Sequence, residues 1–109
     1  VRNAVKRKLD NLIFILDNNG FCAMGKTKDV LDVDPRHLFY DWLIFEVDGH
    51  SHYDIRDGID NANDFIRKPK LIIANTIKGK GVPNWENDNL WHYAQIKEDD
   101  YQYALSCLN

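Results

Sequence analysis

The sequence predicts an α/β fold, a partial parallel sheet of about three strands with flanking helices, and three observations predict it. Apolar runs of strand length occupy residues 12–16, 44–47 and 71–76. Helical spacing and helix-capping residues lie between the later runs. Asn, Asp and Gly follow the first two runs, and these residues supply the turn chemistry that ends a strand. Strands alternating with helices imply parallel pairing through right-handed crossovers.

The elements follow in order. Residues 1–8 read as the tail of a helix whose own strand should precede it, with Arg2, Lys6, Arg7 and Lys8 as a solvated basic face. Leu12-Ile13-Phe14-Ile15-Leu16 is continuously apolar, the pattern of a strand covered on both faces. Asp17-Asn18-Asn19-Gly20 closes it, which places Asn18, Asn19 and Gly20 just past the carboxyl end of a strand, where open α/β sheets bind ligands. Asp34 as N-cap and Pro35 at the first position open a short helix running to about Leu43. Residues 44–47 form the second strand, closed by Asp48-Gly49. Ser51 caps a helix over residues 53–66, whose Ile55, Ile59, Ala62 and Ile66 recur at helical spacing until Lys68-Pro69 stops it. Residues 71–76 are the third strand. A long loop to about Ile96 carries Pro83, Trp85, Trp91 and His92, and a last helix spans residues 98–108 with acids in its first turn.

Composition narrows the function classes. A chain of 109 residues, 44% hydrophobic and 28% charged, is one small globular domain or a piece of a larger one. A net charge of −3 and no basic run argue against nucleic acid. No apolar stretch approaches the ~20 residues that cross a bilayer. No signal peptide is visible, although the first residue is Val rather than Met. Cys22 and Cys107 lack metal-pair spacing and read as reduced thiols of a cytoplasmic protein.

Three segments carry chemistry. They are residues 8–20 continuing through Met24-Gly25; Phe45-Glu46-Val47-Asp48-Gly49-His50; and Ala74-Asn75-Thr76-Ile77-Lys78-Gly79-Lys80-Gly81-Val82, with Trp91-His92 beyond it. Alone, Asn18 and Asn19 are turn residues and the Gly-Lys-Gly loop is commonplace. In this order and spacing, over nearly the whole chain, they resemble the transketolase family. The resemblance implies the later part of a thiamine-diphosphate pyrophosphate-binding domain. There a Mg²⁺ or Ca²⁺ ion bridges the two phosphates to an aspartate of a Gly-Asp-Gly motif, an asparagine after the next strand, and a backbone carbonyl two residues on. The asparagine matches Asn19 and the carbonyl matches Phe21. Hard divalent cations take oxygen ligands, and a neutral amide adds one without repelling the diphosphate. His92 matches a histidine that faces cofactor and substrate, a role suited to an imidazole. Tyr93 stands where the family usually has Gly, and the alternative is a loop histidine packed between Trp91 and Tyr93. Lys78 matches a lysine that approaches the cofactor, with Gly79 and Gly81 letting the backbone pass close to a ligand; a solvated loop cation is the alternative.

No Gly-Asp-Gly occurs in the chain. It should lie a helix and its loops before Asn19, roughly 30 residues upstream. The expectation is therefore a partial domain over residues 1–109, from a fragment or a split subunit, inactive alone. The resemblance further implies transfer of a two-carbon ketol unit between sugar phosphates, a complementary pyrimidine-binding domain or subunit, and a homo- or hetero-oligomer. Two alternatives stand beside it: another thiamine enzyme, such as 1-deoxyxylulose-5-phosphate synthase or a 2-oxo-acid dehydrogenase component, and a non-catalytic α/β scaffold.

Overall fold

A computed structural model describes residues 1–108. In chain order the elements are α1 (Arg2–Lys6), β1 (Ile13–Asn18), β2 (Phe21–Cys22), β3 (Gly25–Lys26), α2 (Thr27–Val30), α3 (Pro35–Leu38), β4 (Leu43–Asp48), α4 (His52–Asp64), β5 (Lys70–Asn75), a 3₁₀ turn (Asn89–His92) and α5 (Glu98–Leu108). They form two compact units, Val1–Asn18 with Val33–Thr76, and Asn19–Asp32 with the chain from Ile77 onward.

The first unit is the α/β layer. Its sheet has the order β1-β5-β4, all parallel, so the last strand in sequence lies in the middle. That position explains its apolarity: Leu71, Ile72 and Ile73 are fully buried. Burial of each such side chain is worth about 1.5–3 kcal/mol. One face packs Leu71 and Ile73 with Ala4 of α1, Phe39 and Trp42, flanked by Leu12, Leu16 and Ile44. On the other face α4 lies over β4 and β5. Gly58 lets it approach, since a Cβ there would come within 2.7 Å of Val47 Cγ1. At the carboxyl edge Asn18, Asn75 and Asp48 stand in register. Gly49 donates its N–H to the Asn75 carbonyl at 2.8 Å. A Cβ on Gly49 would run into Thr76, so glycine is required by packing.

The second unit holds the β2–β3 hairpin, α2, the 3₁₀ turn and α5. The hairpin pairs Phe21 with Lys26 and Cys22 with Gly25. Thr27 N–H donates to the Gly20 carbonyl at 2.9 Å, tying α2 to the start of the hairpin.

Several expectations are corrected. β1 is not covered on both faces along its length: Phe14 and Ile15 are 45% and 52% exposed. The helix opened by Asp34-Pro35 stops at Leu38 rather than near Leu43. Phe39 instead turns its ring into the core, edge-on to Trp42 at 5.0 Å. The capped helix ends at Asp64, not Ile66. Phe65 is extended there and packs its ring 5.9 Å from Phe45, leaving Ile66 exposed. The loop between β5 and α5 contains an unforeseen 3₁₀ turn, and residues 21–30 form an unforeseen hairpin and helical turn.

Candidate functional site

The sequence placed Asn19, Phe21, Lys78 and His92 together, and all four belong to the second unit. Asn19 directly follows β1, as expected for a residue leaving the carboxyl end of a parallel strand. Its Oδ1 accepts from Phe21 N–H at 2.9 Å, which closes an Asx turn. Gly20 inside that turn has φ +78°, a left-handed conformation glycine adopts without penalty. The turn fixes the Asn19 amide with its oxygen toward the backbone of Phe21, the other candidate ligand. An amide oxygen accepts two bonds, so turn formation and cation binding are compatible roles for it.

The 3₁₀ turn bearing His92 is built from short polar side chains. Asp88 caps it, its Oδ1 accepting from Leu90 N–H at 2.9 Å. Asn89 bridges the turn to the hairpin. With oxygen facing a donor and nitrogen facing an acceptor, its amide donates to the Cys22 carbonyl at 3.0 Å and accepts from Gly25 N–H at 3.3 Å. Asn89 thus fastens the His92 turn to the segment that follows Asn19. Trp91 stacks on Trp85 with ring centroids 4.6 Å apart, which anchors the residue before His92 while His92 itself stays exposed. Tyr93 sits at φ −139°, ψ −4°, so the position usually held by glycine imposes no left-handed backbone here.

Lys78 is half-buried, and its carbonyl accepts from Asn87 N–H at 3.0 Å. Asn87 leads through Asp88 into the 3₁₀ turn, so one loop carries both Lys78 and His92. Gly79 has φ +73° and would clash with the Trp85 backbone if it had a Cβ. The glycine expected to admit a ligand thus has a packing role within this loop. His37, His50 and His52 are exposed residues of the first unit.

The oxygen donors at Asn19 and Phe21 fit a hard divalent cation in kind. They are neutral and few. Among the described residues no group of three or more His, Cys, Asp or Glu could hold a metal. Both cysteines are free. No helix among the described residues is long and apolar enough to cross a membrane.

Sequence reasoning missed a polar line in the first unit. Asn18 Nδ2 donates to Asn75 Oδ1 at 2.8 Å, and Asn75 Nδ2 donates to Glu46 Oε1 at 2.9 Å. Arg36 bridges Glu46 Oε2 at 2.5 Å and Asp34 Oδ2 at 3.1 Å. The bond from Asn75, then that from Arg36, holds the Glu46 carboxyl below its ordinary range. Asp34 is lowered first by the Arg36 backbone N–H that it caps. The available signal was Asn75, an amide ending an otherwise apolar strand.

Comparison with known proteins decides the family. The profile of a family described as the transketolase thiamine diphosphate binding domain matches residues 1–108. The chain belongs to that family. One of the subunits of an apulose-4-phosphate transketolase from Actinobacillus succinogenes is 38% identical over 94% of this chain and 38% of its own length. Transketolase 2 of Escherichia coli is 33% identical over 88% of this chain and 15% of its own length. The transketolase crystal structure from Campylobacter jejuni superposes with a TM-score of 0.86 at 27% identity, covering 95% of this chain and 17% of that one. The chain thus spans well under half the length of these relatives. The parallel sheet with flanking helices agrees with the fold expected from the sequence.

Proposed function

We propose that this chain is the later part of the pyrophosphate-binding domain of a thiamine-diphosphate-dependent transketolase, whose Gly-Asp-Gly half is supplied from outside residues 1–109. In this reading the protein moves a two-carbon ketol unit between sugar phosphates in the cytoplasm. A complementary pyrimidine-binding domain or subunit completes it, in a homo- or hetero-oligomer. The transketolase names of the relatives favour it over other thiamine enzymes.

The observation that carries the proposal is the Asx turn at Asn19, at the strand end where the family's metal-binding asparagine is expected. Asn19 Oδ1 and the Phe21 carbonyl would hold a Mg²⁺ or Ca²⁺ ion that bridges the diphosphate. The nucleophilic carbon and the electron sink of ketol transfer are supplied by thiamine diphosphate when bound. Lys78 would add a cation on the loop after β5. His92 would accept or return protons at the substrate's hydroxyl oxygens, or bind them, and its exposure leaves it accessible for that role.

The test is calorimetric titration of the polypeptide that carries this chain with thiamine diphosphate and Mg²⁺, together with a ketol-transfer assay using a ketose phosphate donor and an aldose phosphate acceptor. Binding abolished by a chelator, with turnover once the complementary part is added, is the expected result. A correctly folded protein that neither binds the cofactor nor turns over is the scaffold alternative, and it rejects the proposal.

A further inference from the structure

The 3₁₀ turn that bears His92 forms from its own stretch of chain. Asp88 caps it through Leu90 N–H, and the Leu90 carbonyl accepts from Tyr93 N–H at 3.3 Å and from Ala94 N–H at 3.0 Å. Trp91 stacks on Trp85, a residue of the same loop. These contacts shape the turn without fastening it to the β2–β3 hairpin. The side chain of Asn89 does that. Its amide donates to the Cys22 carbonyl at 3.0 Å and accepts from Gly25 N–H at 3.3 Å. Cys22 and Gly25 are paired across the hairpin, so one planar group grips both strands. Asn89 lies three residues before His92, and Cys22 is the neighbour of Phe21. The hairpin has supports of its own. Phe21 pairs with Lys26, Phe21 N–H is held by Asn19 Oδ1, and the Gly20 carbonyl accepts from Thr27 N–H.

We infer that Asn89 is a positioning residue: by clamping the 3₁₀ turn to the hairpin it sets where His92 stands relative to the Phe21 carbonyl. The clamp stands on its hydrogen bonds, and its consequence for turnover rests on the function proposed above. Asn89 need touch neither cofactor nor substrate. The clamp requires a donor and an acceptor side by side, which asparagine offers and aspartate or alanine does not. A group that moves protons must sit within hydrogen-bond reach of them, and a displacement of about 1 Å can cost up to about 100-fold. Without the Asn89 amide the turn still forms, but its distance from the hairpin is no longer fixed. Phe21 keeps its other supports, so the loss falls on the His92 side.

The experiment has two arms, both on the polypeptide that carries this chain. In the first, backbone hydrogen exchange is followed by NMR without ligand. Asn89→Ala should speed exchange of Gly25 N–H by about 3- to 10-fold, the weight of one hydrogen bond. In the second, ketol transfer is measured with the complementary part present, beside calorimetric titration of Mg²⁺–thiamine diphosphate. Asn89→Ala should lower kcat by about 10-fold and change cofactor affinity less than about 3-fold. Asn89→Asp, which keeps the size and loses the donor, should lower kcat in the same way. In a His92→Ala background, Asn89→Ala should cost nothing further, because it acts through His92. Thermal unfolding checks that each variant is folded. Unchanged Gly25 exchange overturns the clamp. An unchanged kcat, equal losses in kcat and cofactor affinity, or losses that multiply in the double variant overturn the positioning role. If the unsubstituted protein neither binds the cofactor nor turns over, the proposed function falls and the positioning role with it, while the first arm still decides the clamp.

Discussion

Replacing Asn19 by Ala separates the two roles the structure gives that amide. As a turn former, Asn19 accepts a half-buried neutral hydrogen bond from Phe21 N–H at 2.9 Å. Such a bond is worth about 0.5–1.5 kcal/mol. In a domain of this size about 1 kcal/mol moves the unfolding midpoint by roughly 4–8 °C. As a cation ligand, the same oxygen would make an interaction with a charge, worth about 1.5–3 kcal/mol. At about 1.4 kcal/mol per tenfold, its loss weakens cofactor binding by roughly 10- to 100-fold. Asn19→Ala should therefore lower the midpoint by several degrees and cut the affinity for Mg²⁺–thiamine diphosphate by one to two orders of magnitude. Asn19→Asp retains an acceptor for Phe21 N–H, so it should lower the midpoint less than Asn19→Ala does. Differential scanning calorimetry and isothermal titration on the polypeptide carrying this chain give the two numbers. A lowered midpoint with unaltered cofactor affinity would refute the ligand role and leave Asn19 a turn residue alone.

Other consequences follow from the same geometry. His92→Ala should lower turnover by about 10²-fold while changing cofactor affinity less than about 3-fold, since His92 is exposed and its turn is held by Asp88, Asn89 and Trp91; steady-state kinetics beside calorimetry tests this, and equal losses mean a structural histidine. Glu46 and Asp34 have folded-state pKa values depressed below 4.5 and 3.8, so their stabilisation is complete above those ordinary values and is lost as pH falls through the depressed ones. Arg36→Leu should flatten the acid limb of a pH-dependent denaturation curve, and an unaltered limb would contradict the assignment. Mg²⁺ without thiamine diphosphate should give no measurable binding heat at millimolar concentration, and tight binding of the ion alone would show a ligand set other than Asn19 and Phe21.

The sheet was legible because its signal is long and redundant. β5 is buried along its whole length but for Asn75, and such burial leaves an unbroken apolar run in sequence. Helix starts were legible for the same kind of reason: Asp34 and Ser51 each accept the backbone N–H that a capping residue should. Ends were harder, because Phe39 leaves its helix to fill space in the core and Phe65 leaves its own to pack on Phe45, and only the tertiary structure supplies those partners. The β2–β3 hairpin was invisible since two-residue strands have no periodicity to read. The site was legible only as motifs. Asn19 was singled out by its place after a strand together with the family resemblance, and Asn75 stands out only as an amide ending an apolar strand, whereas Asn89 acts through partners far away in sequence and no local pattern announces it.

What the chain contributes to the proposed cation is neutral, and that has a physical logic. Asn19 and the Phe21 carbonyl offer dipoles, and the described residues contain no acidic cluster that could balance a double charge. In the proposed function, neutralisation would come from the diphosphate and from the aspartate of the Gly-Asp-Gly motif. A site of this kind binds metal and diphosphate as one unit, because either alone leaves charge uncompensated at the strand ends. Of the carboxylates near that edge, Glu46 is already committed to Arg36 and Asn75.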